Sequence, residues 1–359
     1  MLRVGILTSG GDCQALNATM RAIVRTVSNG CKNPVEFYGF LDGYRGLMYG
    51  QYRKLTWHDV SGLLTTGGTI LGTSRTPFKL IREPDENGLN KVEAMKQTYK
   101  KLRLDYLCVL GGNGSLKTAN LLNEEGLHVI GLPKTIDNDT WGTDMTFGFP
   151  SAIDIATKAI DDIKTTASSH GRVFVIEIMG HKVGWIPLYA GVAGGADVIL
   201  IPEIPYDLDN VVAAIEKREK MGGRFAIVVV AEGAITKGEK MLNKKEYKEV
   251  LAQRTDPSVA YALAREIELR TGRETRVAIP GHTQRGGTPD AQDRIFASQC
   301  GAVAGHALVK GEYGFLVAQV AGKMKKVPLA DIAGKLKYVD PESDLVREAR
   351  ELGVSFGDE

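Results

Sequence analysis

The sequence predicts an α/β protein: mostly parallel sheet, in one piece or two, covered by helices. Three observations predict it. Short apolar runs alternate with longer amphipathic stretches, the pattern of βα repeats. Some of the short runs are apolar throughout, as in AIVVVA at 226–231, which suits strands buried on both faces. At 359 residues, the chain is long enough for about two domains with sizeable cores.

In chain order, strands are expected over 3–8, 35–38, 105–110, 128–132, 172–178, 196–201, 225–230 and 275–279. Helical periodicity fills 15–27, 115–124, 151–165, 209–220, 257–270 and 290–308. No Pro/Ser-rich linker separates the halves, so the chain is expected to pass between domains more than once. The lysine-rich stretch KGEKMLNKKEYK at 237–248 reads as a solvated helix or loop, and the acidic tail from Asp340 as peripheral.

Composition excludes several classes. Apolar content of 43% with 25% charged residues argues against disorder. Lys+Arg 45 against Asp+Glu 43 leaves a net charge of +2, with no electrostatic footprint for nucleic acid or an anionic membrane. No apolar run reaches the ~20 residues that span a bilayer. The opening MLRVGILTSGGD is unlike a signal peptide, and four scattered cysteines without a C-x-x-C pair suit a reduced cytoplasm.

Glycine is the skewed number, 42 of 359. In open α/β sheets ligands sit beyond the carboxyl ends of strands, and that is where many of these glycines fall. Gly10-Gly11-Asp12 follows the first strand, and Gly111-Gly112-Asn113-Gly114-Ser115 follows the third and leads into a helix. Gly67-Gly68 and Gly72-Thr73-Ser74-Arg75 repeat the grammar. Such turns let backbone N–H groups and a helix dipole approach phosphate, although a strand-to-helix turn also uses glycine for φ > 0 alone. Neither the P-loop nor G-x-G-x-x-G is completed, since Lys117 stands where the third glycine of the dinucleotide fingerprint belongs.

Pro133-Lys134-Thr135-Ile136-Asp137-Asn138-Asp139 comes directly after a predicted strand. Two carboxylates two residues apart can divide the work, one accepting a hydroxyl proton and the other holding Mg²⁺ on a phosphate, with Lys134 beside them. The same letters also make an Asx-turn. Later strand ends carry Met179-Gly180-His181, Glu232 and His282-Thr283-Gln284-Arg285, with Arg172 and Arg276 near strand starts. Together these suit a sugar phosphate, guanidinium for phosphate and carboxylate for hydroxyls.

Taken in order, Gly10-Gly11-Asp12, GGNGS at 111–115, PKTIDND at 133–139, Met179-Gly180, Glu232 and GRETR…GHTQRGG at 272–287 resemble the A-type phosphofructokinase family from about residue 3 to 320. The resemblance implies two similar three-layer αβα domains: 1–148 with about 263–312 for the phosphoryl donor, and about 149–262 with 313–359 for the sugar phosphate. It implies Mg²⁺ and transfer of phosphate to the 1-hydroxyl of fructose 6-phosphate, within a cytoplasmic homotetramer. Carried over by motif, Asp137 becomes the base, Asn113 and Asp139 the metal positions, and Gly11, Arg75, Thr76, Gly112, Asn113, Gly114 and Ser115 the donor site. Thr135, Ile136, Asp137, Met179, Gly180, His181, Glu232, His282, Thr283, Gln284 and Arg285 would hold the sugar phosphate, with Arg172 and Arg276 offered by a neighbouring subunit.

The chain departs from the family at three places. Asn113 replaces an aspartate, His181 an arginine, and Trp57 stands where a third effector-site arginine would join Arg21 and Arg25. Two positions bear on the donor: pyrophosphate users resemble one another in having Asp and Lys at the positions of Gly114 and Lys134, and ATP users in having Gly at both. Gly114 leaves room for an α-phosphate, so ATP is the expected donor. The alternatives are pyrophosphate, sedoheptulose 7-phosphate as acceptor, and a non-catalytic sugar-phosphate sensor.

Overall fold

The computed structural model describes the whole chain, Met1–Glu359, which forms two compact units, each closed by two stretches of chain. The first comprises Met1–Ser151 and Arg285–Lys337, the second Ala152–Gln284 and Tyr338–Glu359.

The first unit starts with β1 (Leu2–Ser9), α1 (Leu16–Gly30), β2 (Val35–Phe40), α2 (Tyr44–Tyr49), β3 (Tyr52–Leu55) and α3 (Lys91–Lys101). It continues through β4 (Tyr106–Gly111), α4 (Asn113–Glu124), β5 (Val129–Thr135) and the short β6 (Phe147–Gly148). Helix α5 (Phe149–His170) then begins the second unit's run of β7 (Val173–Ile178), α6 (Trp185–Ala193), β8 (Val198–Leu200) and α7 (Leu208–Lys220). After β9 (Ala226–Ala231) come α8 (Lys237–Met241), α9 (Lys244–Gln253), α10 (Val259–Thr271) and β10 (Thr275–Ala278). The chain returns to the first unit for α11 (Ala291–Lys310), β11 (Phe315–Val320), β12 (Lys323–Pro328) and α12 (Leu329–Ile332), and ends in the second with α13 (Asp344–Glu351).

In the first unit the strand order is β12-β11-β5-β4-β1-β2-β3, with β6 beside the end of β5. Only the outermost pairs, β2/β3 and β11/β12, are antiparallel. The chain places β2 on one side of β1 and β4 on the other, so the sheet has its switch point at β1/β4, beyond whose carboxyl ends ligands bind in open α/β sheets. Every residue of β5 is buried, and Leu107, Val109, Val129 and Leu316 sit at 0% exposure in the core beneath α2, α3 and α4. On the other face α11 packs on α1, its Gly301 and Gly305 allowing close approach: a Cβ at Gly301 would lie 2.5 Å from the Thr19 carbonyl oxygen.

The second unit has a four-stranded parallel sheet, β10-β7-β9-β8. AIVVVA coincides with β9 and is buried throughout, as a parallel strand covered on both faces should be. Burying each of its valines contributes roughly 1.5–3 kcal/mol.

Three expectations change. Residues 263–284 stay with the second unit, because β10 pairs in register with β7 from Thr275↔Val173 to Ala278↔Ile176. Residues 313–337 belong to the first, because β11 pairs with β5 through Phe315↔Ile130 and Leu316↔Gly131. The acidic tail is not peripheral: Ser355 bridges β8, and Val346, Ala349 and Phe356 are buried. The lysine-rich stretch forms α8 and α9, which bury no residue, as a solvated segment should.

Candidate active site

Three of the glycine and acid motifs fall on adjacent strand ends of the first unit. The registers Ser9↔Gly111 and Gly111↔Pro133 bring the turns after β1 and β4 and the acid loop after β5 into one row. The turn after β1 requires glycine at Gly10, whose φ is +88°. Its amide donates to the Ser74 carbonyl at 3.1 Å, and Thr73 Oγ1 donates back to the Gly10 carbonyl at 2.7 Å. The Gly72–Arg75 turn is thereby fixed against the Gly10 turn, with Arg75 exposed and Thr76 half-buried beside it.

Gly112 precedes the first turn of α4, and Asn113, Gly114 and Ser115 form that turn, where unpaired N–H groups and the helix dipole favour an anion. Ser115 Oγ and Ser9 Oγ hydrogen-bond at 2.9 Å, and the buried Tyr44 hydroxyl donates to the Ser115 carbonyl at 2.7 Å. A Cβ built on Gly114 meets nothing within 4 Å, so the space in front of this turn is open. Asn113 donates its side-chain N–H to the Lys335 carbonyl.

Lys134 and Arg285 both reach the first glycine turn. Lys134 is 3% exposed and donates to the Gly11 carbonyl; burial, with the Arg285 charge adding to it, pushes its pKa down. Arg285 Nη1 donates to the Asp12 carbonyl at 3.0 Å and sits 2.7 Å from where a Gly11 Cβ would stand. Sequence reasoning grouped Arg285 with His282, Thr283 and Gln284. The chain changes unit between Gln284 and Arg285, and the Arg285 guanidinium lies on the turn after β1.

The acid loop is shaped by Asn138, a non-glycine residue at φ +53° between the two aspartates. Its side-chain N–H donates to the Asp144 carbonyl at 3.3 Å, holding a backbone conformation that L-residues seldom adopt. Asp137 donates its amide to Thr135 Oγ1 at 3.1 Å, while Thr135 Oγ1 in turn donates to Asp137 Oδ2 at 3.3 Å. Ile136, between them, is fully buried and anchors the loop. Burial, reinforced by the Asp137 charge, pushes Asp139 up to about 6, and its Oδ1 is buried with no hydrogen-bond partner. An orphaned carboxylate oxygen beside a second carboxylate is a place where a cation relieves both desolvation and repulsion. No cluster of three His, Cys, Asp or Glu is assembled. Mg²⁺ fits this donor set, because it binds through one or two carboxylates and takes its other ligands from water and phosphate.

The second unit gathers its polar groups at the carboxyl ends of β10, β7 and β9. Glu232 Oε1 accepts the backbone amides of His181 at 2.7 Å and Gly180 at 3.3 Å. Gln284 is fully buried; its Oε1 accepts the Met179 amide at 3.3 Å and its Nε2 donates to the Gly281 carbonyl at 3.0 Å. Thr283 Oγ1 donates to the Pro280 carbonyl at 2.7 Å, and His282 is exposed next to it. His181 has φ +54°, and its side chain is exposed.

Arg172 and Arg276 stand at the other end of the same sheet, about six residues or ~20 Å of strand from Met179. Both pair with Glu274, Arg172 Nε at 2.7 Å. In the first unit, the Arg25 guanidinium lies 4.6 Å from the centre of the Trp57 ring, a cation–π contact where the family pattern led us to expect a third arginine. Sequence reasoning missed the role of 335–337, which touches Asn113 and the acid loop; no motif marks that stretch.

Comparison with known proteins bears on this arrangement. A family model described as Phosphofructokinase matches residues 3–308. An ATP-dependent 6-phosphofructokinase of Spirochaeta thermophila is 51% identical, the alignment covering 99% of this chain and 97% of the relative. A pyrophosphate–fructose 6-phosphate 1-phosphotransferase of Amycolatopsis methanolica is 45% identical over 95% of this chain and 97% of its own. Among solved structures, the Pichia pastoris phosphofructokinase in the T-state superposes with a TM-score of 0.80 at 32% identity; 92% of this chain is covered, but only 35% of that larger one.

Proposed function

The chain belongs to the phosphofructokinase family, and from that premise we propose that it is an ATP-dependent 6-phosphofructokinase that phosphorylates the 1-hydroxyl of fructose 6-phosphate. The observation that carries the reading is the row of strand ends in the first unit: two glycine turns followed by an acid loop whose metal-suited oxygen is buried and unpaired.

On this reading the donor's phosphates lie on the α4 N-terminus and the Gly10–Gly11 turn, with Arg75, Thr76 and Arg285 supplying the further polar contacts. Asp137 accepts the proton of the attacking hydroxyl. Asp139, with the Asn113 amide oxygen near the helix end, would hold Mg²⁺, which when bound neutralises charge on the transferring phosphates. Phosphoryl transfer asks for positioning and charge neutralisation more than for covalent chemistry, and amides fixed by the Ser9–Ser115 bond serve that end.

The second unit supplies the sugar-phosphate contacts on the same reading. Glu232 suits sugar hydroxyls; the Met179–Gly180 backbone and His282 suit the rest of the molecule. Arg172 and Arg276, held on Glu274 at the far end of the sheet, are proposed to serve a neighbouring copy's site in a homotetramer. The cytoplasm is the proposed location; all four cysteines are free thiols, and no helix is long and apolar enough to cross a membrane.

Open space in front of Gly114 favours ATP, since a nucleotide's α-phosphate needs that volume. The 45%-identical pyrophosphate user supports the runner-up. Initial rates with fructose 6-phosphate and Mg²⁺ decide the matter. Turnover with ATP well above that with pyrophosphate is expected; the reverse ratio assigns the other donor, and no turnover with either removes the kinase reading.

A further inference from the structure

The stretch Lys335–Lys337 lies beyond residues 3–308, which the family model matches, yet it touches both sides of the donor site. The Lys335 carbonyl accepts the side-chain N–H of Asn113, the first residue of α4. Leu336 forms an antiparallel bridge with Thr140, immediately after Asp139. The Lys337 amide donates to the Asp139 carbonyl at 2.9 Å, and its Nζ donates to the carbonyls of Thr143 at 2.9 Å and Asp144 at 2.7 Å. Three consecutive residues therefore tie the phosphate-facing helix end to the acid loop.

The strap is itself anchored. Lys335 donates its amide to the Ile332 carbonyl at 3.1 Å, and Leu329 and Ile332 of α12 are buried against α4 and the core. Gly142 of the acid loop has φ +84° and lies so close that a Cβ there would be 2.9 Å from Ile332 Cγ2.

We propose that Lys335–Lys337 is a positioning strap that sets the separation between the α4 N-terminus and Asp139, with Lys337 as its positioning residue, and hence tunes metal–donor binding. This rests on the reading of Asp139 as a metal position. It also accounts for Asn113: that site needs an N–H donor for the Lys335 carbonyl, and a carboxylate there would face a carbonyl oxygen with no proton between them. Groups that orient a metal ligand without touching the metal typically change affinity by ~10–100-fold when lost.

The test compares wild type, Lys337→Met and Lys337→Arg. In Lys337→Met, calorimetric binding of ATP with Mg²⁺, measured without sugar phosphate, is expected to weaken ~10-fold or more. The KM for fructose 6-phosphate should stay within about twofold, and Lys337→Arg should recover most of the loss. Hydrogen exchange at the amides of 137–146 should quicken in Lys337→Met while β1 and β4 stay protected. Exchange does not depend on the reaction catalysed, so a loosened loop in a protein without kinase activity supports the strap and refutes only the functional reading. Unchanged exchange and unchanged donor binding in an active Lys337→Met enzyme overturn the strap. Should Lys337→Met fail to fold, exchange in the wild type decides: protection of the Lys337 amide comparable to that of the acid loop supports the proposal, and a freely exchanging Lys337 amide overturns it.

Discussion

Lys134, at the end of β5, donates its buried ammonium to the carbonyl of Gly11, in the turn that follows β1. The contact spans β4, which lies between the two strands, and Arg285 reaches the adjacent Asp12 carbonyl of the same turn. Two cations consume carbonyl oxygens of the first glycine turn. With the Gly11 and Asp12 carbonyls engaged by cations, the backbone of the turn opposes an anion less, and the two cations add positive charge beside it.

Asp137→Asn removes a base while keeping nearly the same shape and the hydrogen bond from its amide to Thr135. General-base assistance is worth ~10²–10⁴ in rate, so kcat should fall by about that factor with KM for fructose 6-phosphate little changed. Steady-state kinetics check this, and an undiminished kcat takes Asp137 out of its proposed role.

Gly114→Asp places a carboxylate where a Cβ meets no neighbour, in the first turn of α4, where an acidic residue interacts well with the helix dipole. The variant should fold with wild-type stability or slightly better. Its charge occupies the volume proposed for the α-phosphate, so the ratio of kcat/KM for ATP to that for pyrophosphate should drop by at least tenfold. Parallel assays with the two donors measure it, and an unaltered ratio means that position 114 does not select the donor.

Much of the fold was legible because parallel strands buried on both faces announce themselves as continuous apolar runs, as in β9. The edges were not. β3 and β12 are largely exposed, with Lys323, Lys325 and Lys326 along β12, so they lack the apolar signal of a strand. The acid pair was visible from spacing, but the loop's shape was not: nothing in IDND says that Asn138 takes φ +53°. Arg285 shows the limit of motif contiguity, since the turn of chain at Gln284–Arg285 sends neighbouring letters into different units. Along the strap at 335–337 the Lys335 carbonyl, the Leu336 bridge and the Lys337 amide carry no residue-specific mark, and the Lys337 ammonium that reaches the Thr143 and Asp144 carbonyls belongs to a lysine with no motif around it.

Asp293 should make stability depend on pH. It is fully buried on α11, where its carboxylate accepts the Gly148 amide at 2.8 Å and the Ser151 hydroxyl at 2.6 Å. Burial pushes it up from 3.8 to about 6 despite those bonds. A pKa raised by folding means that the native state prefers the protonated form. The associated stabilisation is complete below about pH 4 and is lost as pH rises through about 6, with an upper bound on the order of 3 kcal/mol. Denaturant unfolding between pH 4 and 7 should show this slope superimposed on that of other groups, and Asp293→Asn should flatten it. Equal slopes in the two proteins would mean that the carboxyl titrates normally.

Phe356→Ala tests whether the C-terminal segment holds the second unit together. Ser355 donates its amide to the Asp197 carbonyl at 3.0 Å and accepts the Ile199 amide at 2.9 Å, extending the β8 edge. Phe356 is fully buried next to it, with the Arg350 guanidinium 4.9 Å from its ring centre, and Arg350 makes a two-pronged pair with Asp358 at 2.9 and 2.7 Å. Truncating a buried phenylalanine typically costs 3–5 kcal/mol, transfer and cavity terms together. Because an edge strand stripped of its cover exposes unpaired N–H and C=O groups, the variant should also aggregate on heating. Chemical denaturation gives the first quantity and light scattering the second. A loss below about 1 kcal/mol without aggregation would restore the tail to the peripheral status that its acidic composition suggested.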